Sequence, residues 1–217
     1  MRNIIEKVNI PKSIIPLVIL AVILNVLRIV IWGKYSFVFI LWNIFLAFIP
    51  FIISSLLLFL SKEKILNKAT FIIGGILWML FIPNAPYIIT DFIHIGLVKG
   101  VPVIYDIFLL FSSACIGLIL GFSSLFHIEQ IINMKYSRRV TSFIMTGIIF
   151  LISFGVYLGR FLRFNSWDVF INHTSLIKNV WKIFSQSSNH IEVYFFTILF
   201  FFFLFFFYKS WKYSNSK

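Results

Sequence analysis

The sequence predicts an all-α, polytopic transmembrane helix bundle of about six spans, and three observations carry that prediction. Sixty per cent of the residues are apolar and only 12% are charged, about half the charged share of a water-soluble domain. Apolar runs recur from residue 14 to residue 208, each close to the roughly 20 residues a helix needs to cross a hydrocarbon core of about 30 Å. Basic residues gather in alternate gaps between those runs. In a soluble chain a formal charge of +12 would point to nucleic acid. Here the cationic clusters are the signal that orients membrane spans, so no nucleic-acid partner is expected.

Helix is the predicted state of each run because backbone groups in hydrocarbon must pair within their own segment. The spans run from Ile14 to Trp32, Ser36 to Leu60, Phe71 to about Ile89, Val103 to Phe126, Val140 to Leu162 and Ile191 to Tyr208, within a single membrane domain covering residues 1–217. The first follows a basic N-terminus, but it is too long for a signal core and lacks a small-residue exit, so it reads as a retained helix. Arg2, Lys7 and Lys12 precede it; Lys62, Lys64 and Lys68 follow the second span; Lys135, Arg138 and Arg139 follow the fourth; Lys209, Lys212 and Lys217 close the chain. Lys34 and Lys99 stand alone in the alternate loops. The positive-inside rule then places both termini in the cytoplasm of a bacterial cell membrane, the bacterial part resting on a Phe-, Ile-, Lys- and Asn-rich composition. Trp32, Tyr35, Tyr105 and Tyr194 mark the outer boundary, and Tyr208, Trp211 and Tyr213 the inner one.

Finer features come from spacing. Leu176, Ile177, Val180, Trp181 and Phe184 oppose Lys178, Asn179 and Lys182, the pattern of a short amphipathic helix lying on the outer surface. Ser113, Gly117 and Gly121 on the fourth span, and Gly155 and Gly159 on the fifth, form small faces that predict close packing of those two helices. The sixth span, nearly all Phe and Leu from Phe195 to Phe207, is expected to face lipid. Cys115 is the single cysteine, so no internal disulfide forms.

Polar residues inside a membrane are costly, and their placement is the main functional signal. Asp91, Asp106, Asp168 and Glu192 fall on the predicted outer side, with Arg28, Arg160 and Arg163 near outer helix ends; Glu6, Glu63 and Glu129 are inner. Pro83 and Pro86 break the third span and strip helical partners from the carbonyls of Met79 and Ile82. If helix resumes after the break, Asn84 caps it, and Tyr87, Asp91 and His94 share one stripe at spacings of four and three. At the fifth span, Arg160 and Arg163 lie three apart on one face, a fork suited to carboxylate or phosphate oxygens. Asn165 or Ser166 can cap the next turn, which holds Asp168 beside Trp167. Asp106 shares a face with Ser113, Gly117 and Gly121, and Arg160 or Arg163 is its expected partner. The bland alternative for each group is structural: a capped proline kink, arginines snorkelling to headgroups, an ion pair holding helices together.

The strings FIPNAPYIITDFIHI at the third span and YLGRFLRFNSWDVF at the fifth resemble the two signature segments of the bacterial membrane family catalogued as domain of unknown function 1361. The resemblance implies a multi-pass bacterial membrane protein and supplies no activity, substrate or catalytic residue. Zinc-helix, phosphate-loop and nucleophile-elbow motifs are absent from the sequence, and no cofactor is expected. Asp91, His94, Asp106, Asp168, His173 and His190 carry metal-ligating groups without tight ligand spacing, so no metal is assigned; the Asn172-His173-Thr174 sequon carries little weight in a bacterial chain. The leading reading is an outer pocket lined by Asn84, Tyr87, Asp106, Arg160, Arg163, Asn165 and Trp167 that binds or processes an anionic lipid-linked or headgroup-like ligand. Asp91, His94 or Asp168 would serve as acid or base if the site is catalytic. A partner subunit or assembly factor without chemistry, and a small permease gated at the broken third span, stand as alternatives. Membrane lipids are the expected surroundings, and oligomeric state is not encoded in any visible pattern.

Overall fold

A computed structural model describes residues 11, 14–171, 173–185 and 191–215, apart from the side chains of residues 170, 184 and 215. Arg2, Glu6, Lys7, Lys12, Asn172, His190 and Lys217, and the Phe184 side chain, lie outside that description. Among the described residues every regular element is a helix: α1 (Ile14–Trp32), α2 (Phe39–Lys62), α3 (Lys68–Phe81), α4 (Asn84–Tyr87), a 3-10 helix (Ile88–His94), α5 (Val103–Asn133), α6 (Arg138–Phe161), α7 (Asp168–Ile171), α8 (His173–Ser185) and α9 (Ile191–Asn215). Six helical segments are long and apolar enough to cross a membrane, the third combining α3, α4 and the 3-10 helix. The chain forms two compact units, Met1–Ile131 and Ile132–Lys217.

In the first unit α1 buries Ile14, Ala21, Asn25 and Arg28, one stripe by helical spacing, and leaves Ile15, Ile19, Ile23 and Val30 exposed. Asn25 quiets its amide by donating to the Ala21 carbonyl at 2.9 Å. The second span starts at Phe39 instead of Ser36, because Ser36 to Val38 form a turn whose Ser36 hydroxyl is drawn to Arg28. Its C-terminus closes in left-handed geometry at Lys64 (φ 59°), with the Ile65 amide donating to the Leu60 carbonyl at 3.0 Å. Asn67 then caps α3, its side chain accepting from the Thr70 amide at 2.8 Å.

Helix α5 overruns the predicted end of the fourth span at Phe126 by two turns. Its 31 residues give a length of about 46 Å, well beyond the hydrocarbon core. Leu125, Ile128 and Ile132, spaced three and four apart, are buried across that boundary, with Ile131 beside them. The apolar face continues after the overall hydropathy has fallen, which is why composition alone ends the span too early.

In the second unit α6 and α9 pack against each other. Helix α9 is not solely lipid-facing: Val193, Thr197, Phe200, Leu204 and Tyr208 form a buried stripe, while Phe195, Leu199, Phe202 and Phe206 point outward. Helix α8 divides its apolar surface. Ile183 joins a core with Tyr157 and Val193, whereas Ile177 and Trp181 are exposed. An amphipathic helix with one apolar flank on protein and the other outward suits the membrane interface.

Candidate functional site

The break in the third span is built by its prolines. Pro83 and Pro86 lack amide protons, so the chain turns at Ile82 and Pro83, and the Ile82 carbonyl accepts from the Ala85 amide at 3.2 Å in place of its usual partner. Asn84 does not cap α4. Its side chain donates backward to the Phe81 carbonyl at 2.9 Å, stabilising the end of α3. Beyond α4 the chain winds as a 3-10 helix, with three residues per turn. Ile88, Asp91 and His94 therefore share a face, and Tyr87 falls off the stripe that an α-helix would have given it. Ile88 and Asp91 are buried and His94 is half-buried, edge-on to Phe39 with centroids 5.4 Å apart.

Asp91 is wholly inaccessible and accepts from the Asn43 amide at 2.9 Å. The broken segment docks on α5 through its smallest residue: a Cβ at Gly117 would collide with the Ala85 carbonyl oxygen, and one at Gly121 would lie 3.2 Å from the Ala85 Cβ. The Ser113, Gly117 and Gly121 face, predicted to receive the fifth span, thus receives the break in the third.

Asp106 is satisfied by Arg28 of α1, not by Arg160 or Arg163. The Arg28 Nε donates to Oδ1 at 2.9 Å and Nη2 to Oδ2 at 3.3 Å, with each residue only 1% exposed. Nη1 donates to the Ser36 hydroxyl at 2.9 Å and the Lys34 carbonyl at 3.2 Å, and the guanidinium carbon lies 4.2 Å from the Phe37 ring centre. Tyr105, next to Asp106, reaches the Leu24 carbonyl with its hydroxyl and stacks edge-on against Trp32. This closed network joins α1, the following turn and α5, and its donors are committed within the protein.

The remaining predicted residues belong to the second unit. Helix α6 ends at Arg160 and Phe161, and Arg163 is exposed with φ at 58°, a left-handed conformation usually left to glycine. The Phe164 amide closes the turn on the Leu158 carbonyl at 3.2 Å. At the turn that holds Asp168, Asp168 Oδ2 accepts from the Asn165 amide at 2.6 Å, and the Asp168 amide donates to the Asn165 carbonyl at 3.0 Å. That reach-back is the second half of a capping box. Asp168 is buried and Trp167 half-buried beside it.

One cluster escaped sequence reasoning. His127, in the unexpected extension of α5, has Nδ1 3.2 Å from both the Ser54 and Ser55 hydroxyls of α2. Behind it Ser124 Oγ lies 2.9 Å from Ser54 Oγ and 3.0 Å from the Pro50 carbonyl, and it accepts from the Trp78 indole at 2.7 Å. In front lies a cavity of about 420 Å³ whose polar lining is Ser55, Lys62, Glu63, His127 and Gln130. Isolated serines in apolar spans give no sequence alarm; paired Ser54-Ser55 and Ser123-Ser124 at similar depth were the available clue.

A family model described as "Protein of unknown function (DUF1361)" matches residues 42–207. That range takes in Asp106 and the His127 cluster but not Arg28. No curated protein and no solved structure matches the chain.

Proposed function

We propose a function on the premise that this chain belongs to the DUF1361 family: it holds an anionic ligand, headgroup-like or lipid-linked, at the outer face of a cell membrane through Arg160 and Arg163. Both termini are cytoplasmic in this reading, as the alternating basic clusters require. The observation that carries it is Arg163. A side chain in left-handed backbone costs about 1–2 kcal/mol, glycine would avoid that cost, and the position instead presents an exposed guanidinium. Lys64 closes α2 in the same geometry, so the φ value by itself is a helix-end feature; what sets Arg163 apart is Arg160 three residues before it, a second guanidinium on the same stretch. Asn165 and Trp167 are the neighbouring candidates, with Asp168 holding the Asn165 backbone in place.

The function is binding instead of catalysis. Asp91 and Asp106 are committed to Asn43 and Arg28, and Asp168 to Asn165, which leaves these three carboxylates in structural roles, while His94 is half-buried edge-on to Phe39. The same commitments favour a second reading, a partner subunit without a ligand of its own. Arg163→Gly separates the two. The binding reading expects a protein that unfolds at higher temperature, by about 1 kcal/mol of relieved strain, yet loses anionic lipid in native mass spectrometry from mild detergent. Retention equal to the original protein in both Arg163→Gly and Arg160→Ala would leave the partner-subunit reading standing.

A further inference from the structure

We infer that the cavity between α2 and α5 is a second ligand site, which takes the phosphate of an amphiphile's polar head at the end of the first unit marked by Lys62. Three donor-bearing side chains share the lining, the Lys62 ammonium, the Gln130 amide and the His127 ring, with the Ser55 hydroxyl set against His127 Nδ1. Phosphate oxygens accept from all of these donor types. Glu63, itself engaged within the protein, shares the lining and selects against a highly charged anion, so a phosphodiester monoanion fits better than a phosphomonoester dianion. Leu58, Phe59 and Phe126 complete the lining, an apolar flank for a chain attached to the head.

The site is held ready in advance. Ser54 and Ser124 are fully buried and Trp78 nearly so, and together they fix the side of His127 that faces the bundle. In the tautomer in which the Ser55 hydroxyl donates to Nδ1, the neutral ring carries its proton on Nε2, the nitrogen with no hydrogen-bond partner among the described residues. Buried polar groups in a membrane span are retained where they are fully satisfied or functional. Here the inner part of the network is satisfied, and its outermost members line an open cavity of about 420 Å³.

The ligand's phosphodiester has two sources, a membrane phospholipid or a soluble glycerophosphodiester, and the experiment separates them. Delipidated full-length protein is titrated with phosphatidylglycerol in one arm and glycerophosphoglycerol in the other, with adducts read by native mass spectrometry. Binding in the first arm alone identifies the lipid, and binding in both identifies the head as sufficient; either supports the site provided Lys62→Gln and His127→Gln each weaken it about tenfold, the worth of one charge-assisted hydrogen bond. Lys62 is exposed and outside the buried network, so its variant reports on binding even if His127→Gln does not fold. No adduct in either arm, or adducts that Lys62→Gln leaves unchanged, overturns the inference. With two sites for anionic lipid, Lys62→Gln should remove one bound phosphatidylglycerol and Arg163→Gly a different one, so the bound number falls by one in each variant and by two in the double variant, which keeps the failure of one site distinct from failure of the other.

Discussion

Alanine at Asp106 is expected to lower the unfolding free energy by about 3–5 kcal/mol, because it leaves the Arg28 guanidinium buried without its counter-charge. The partner matters as much as the loss. Arg28→Ala should cost a similar amount, and the double change to Leu at both positions should recover much of it, since removing both charges also removes their desolvation cost. Arg163→Ala, which alters an exposed side chain, should stay within about 0.5 kcal/mol. Equilibrium unfolding in mixed micelles measures all four. Should Asp106→Ala prove no worse than Arg163→Ala, the clamp between α1 and α5 has no energetic weight.

Alanine at Gly117 should destabilise by about 1–3 kcal/mol or more, the range for overpacking a filled interface. Its Cβ would meet the Ala85 carbonyl oxygen, and Ile88 Cδ1 lies 3.1 Å from the same point, so neither backbone nor side chain has room to give. Two other glycines calibrate the effect. Gly121→Ala faces the Ala85 Cβ at 3.2 Å and should cost less, whereas Gly75 has nothing within 4 Å and alanine there should stabilise α3 by about 0.5–1 kcal/mol. Thermal unfolding should rank the three in that order. A Gly117→Ala protein as stable as Gly75→Ala would show that the broken helix does not dock on α5.

These two interfaces also mark where sequence reasoning stopped. The proline break was legible, because a missing amide proton is a property of the residue alone. The stripe of Tyr87, Asp91 and His94 was not, since its spacing assumed α-helix and the chain after Pro86 winds as 3-10. Arg28 was visible as an intramembrane cation, and Asp106 as an acid at similar depth, but Arg160 and Arg163 fitted the same description. The choice among them rests on how α1 and α5 are rotated about their axes. The His127 cluster was hidden for a related reason: Ser54, Ser55, Ser124 and Trp78 are unremarkable singly and become a network only where three helices converge.

From the amino-acid order alone came the helical class, the number of apolar spans, the interruption of the third and the amphipathic character of α8. Each depends on a local requirement: hydrocarbon leaves backbone groups no partner outside their own segment, and a span must match the thickness it crosses. Folding in three dimensions settled which polar groups meet, that Gly117 receives Ala85, and that α5 runs on to carry His127 to a cavity. Such pairings have several near-equal candidates along the chain, and only side-chain packing, where a single Cβ or a turn of 3-10 helix shifts an azimuth, discriminates between them.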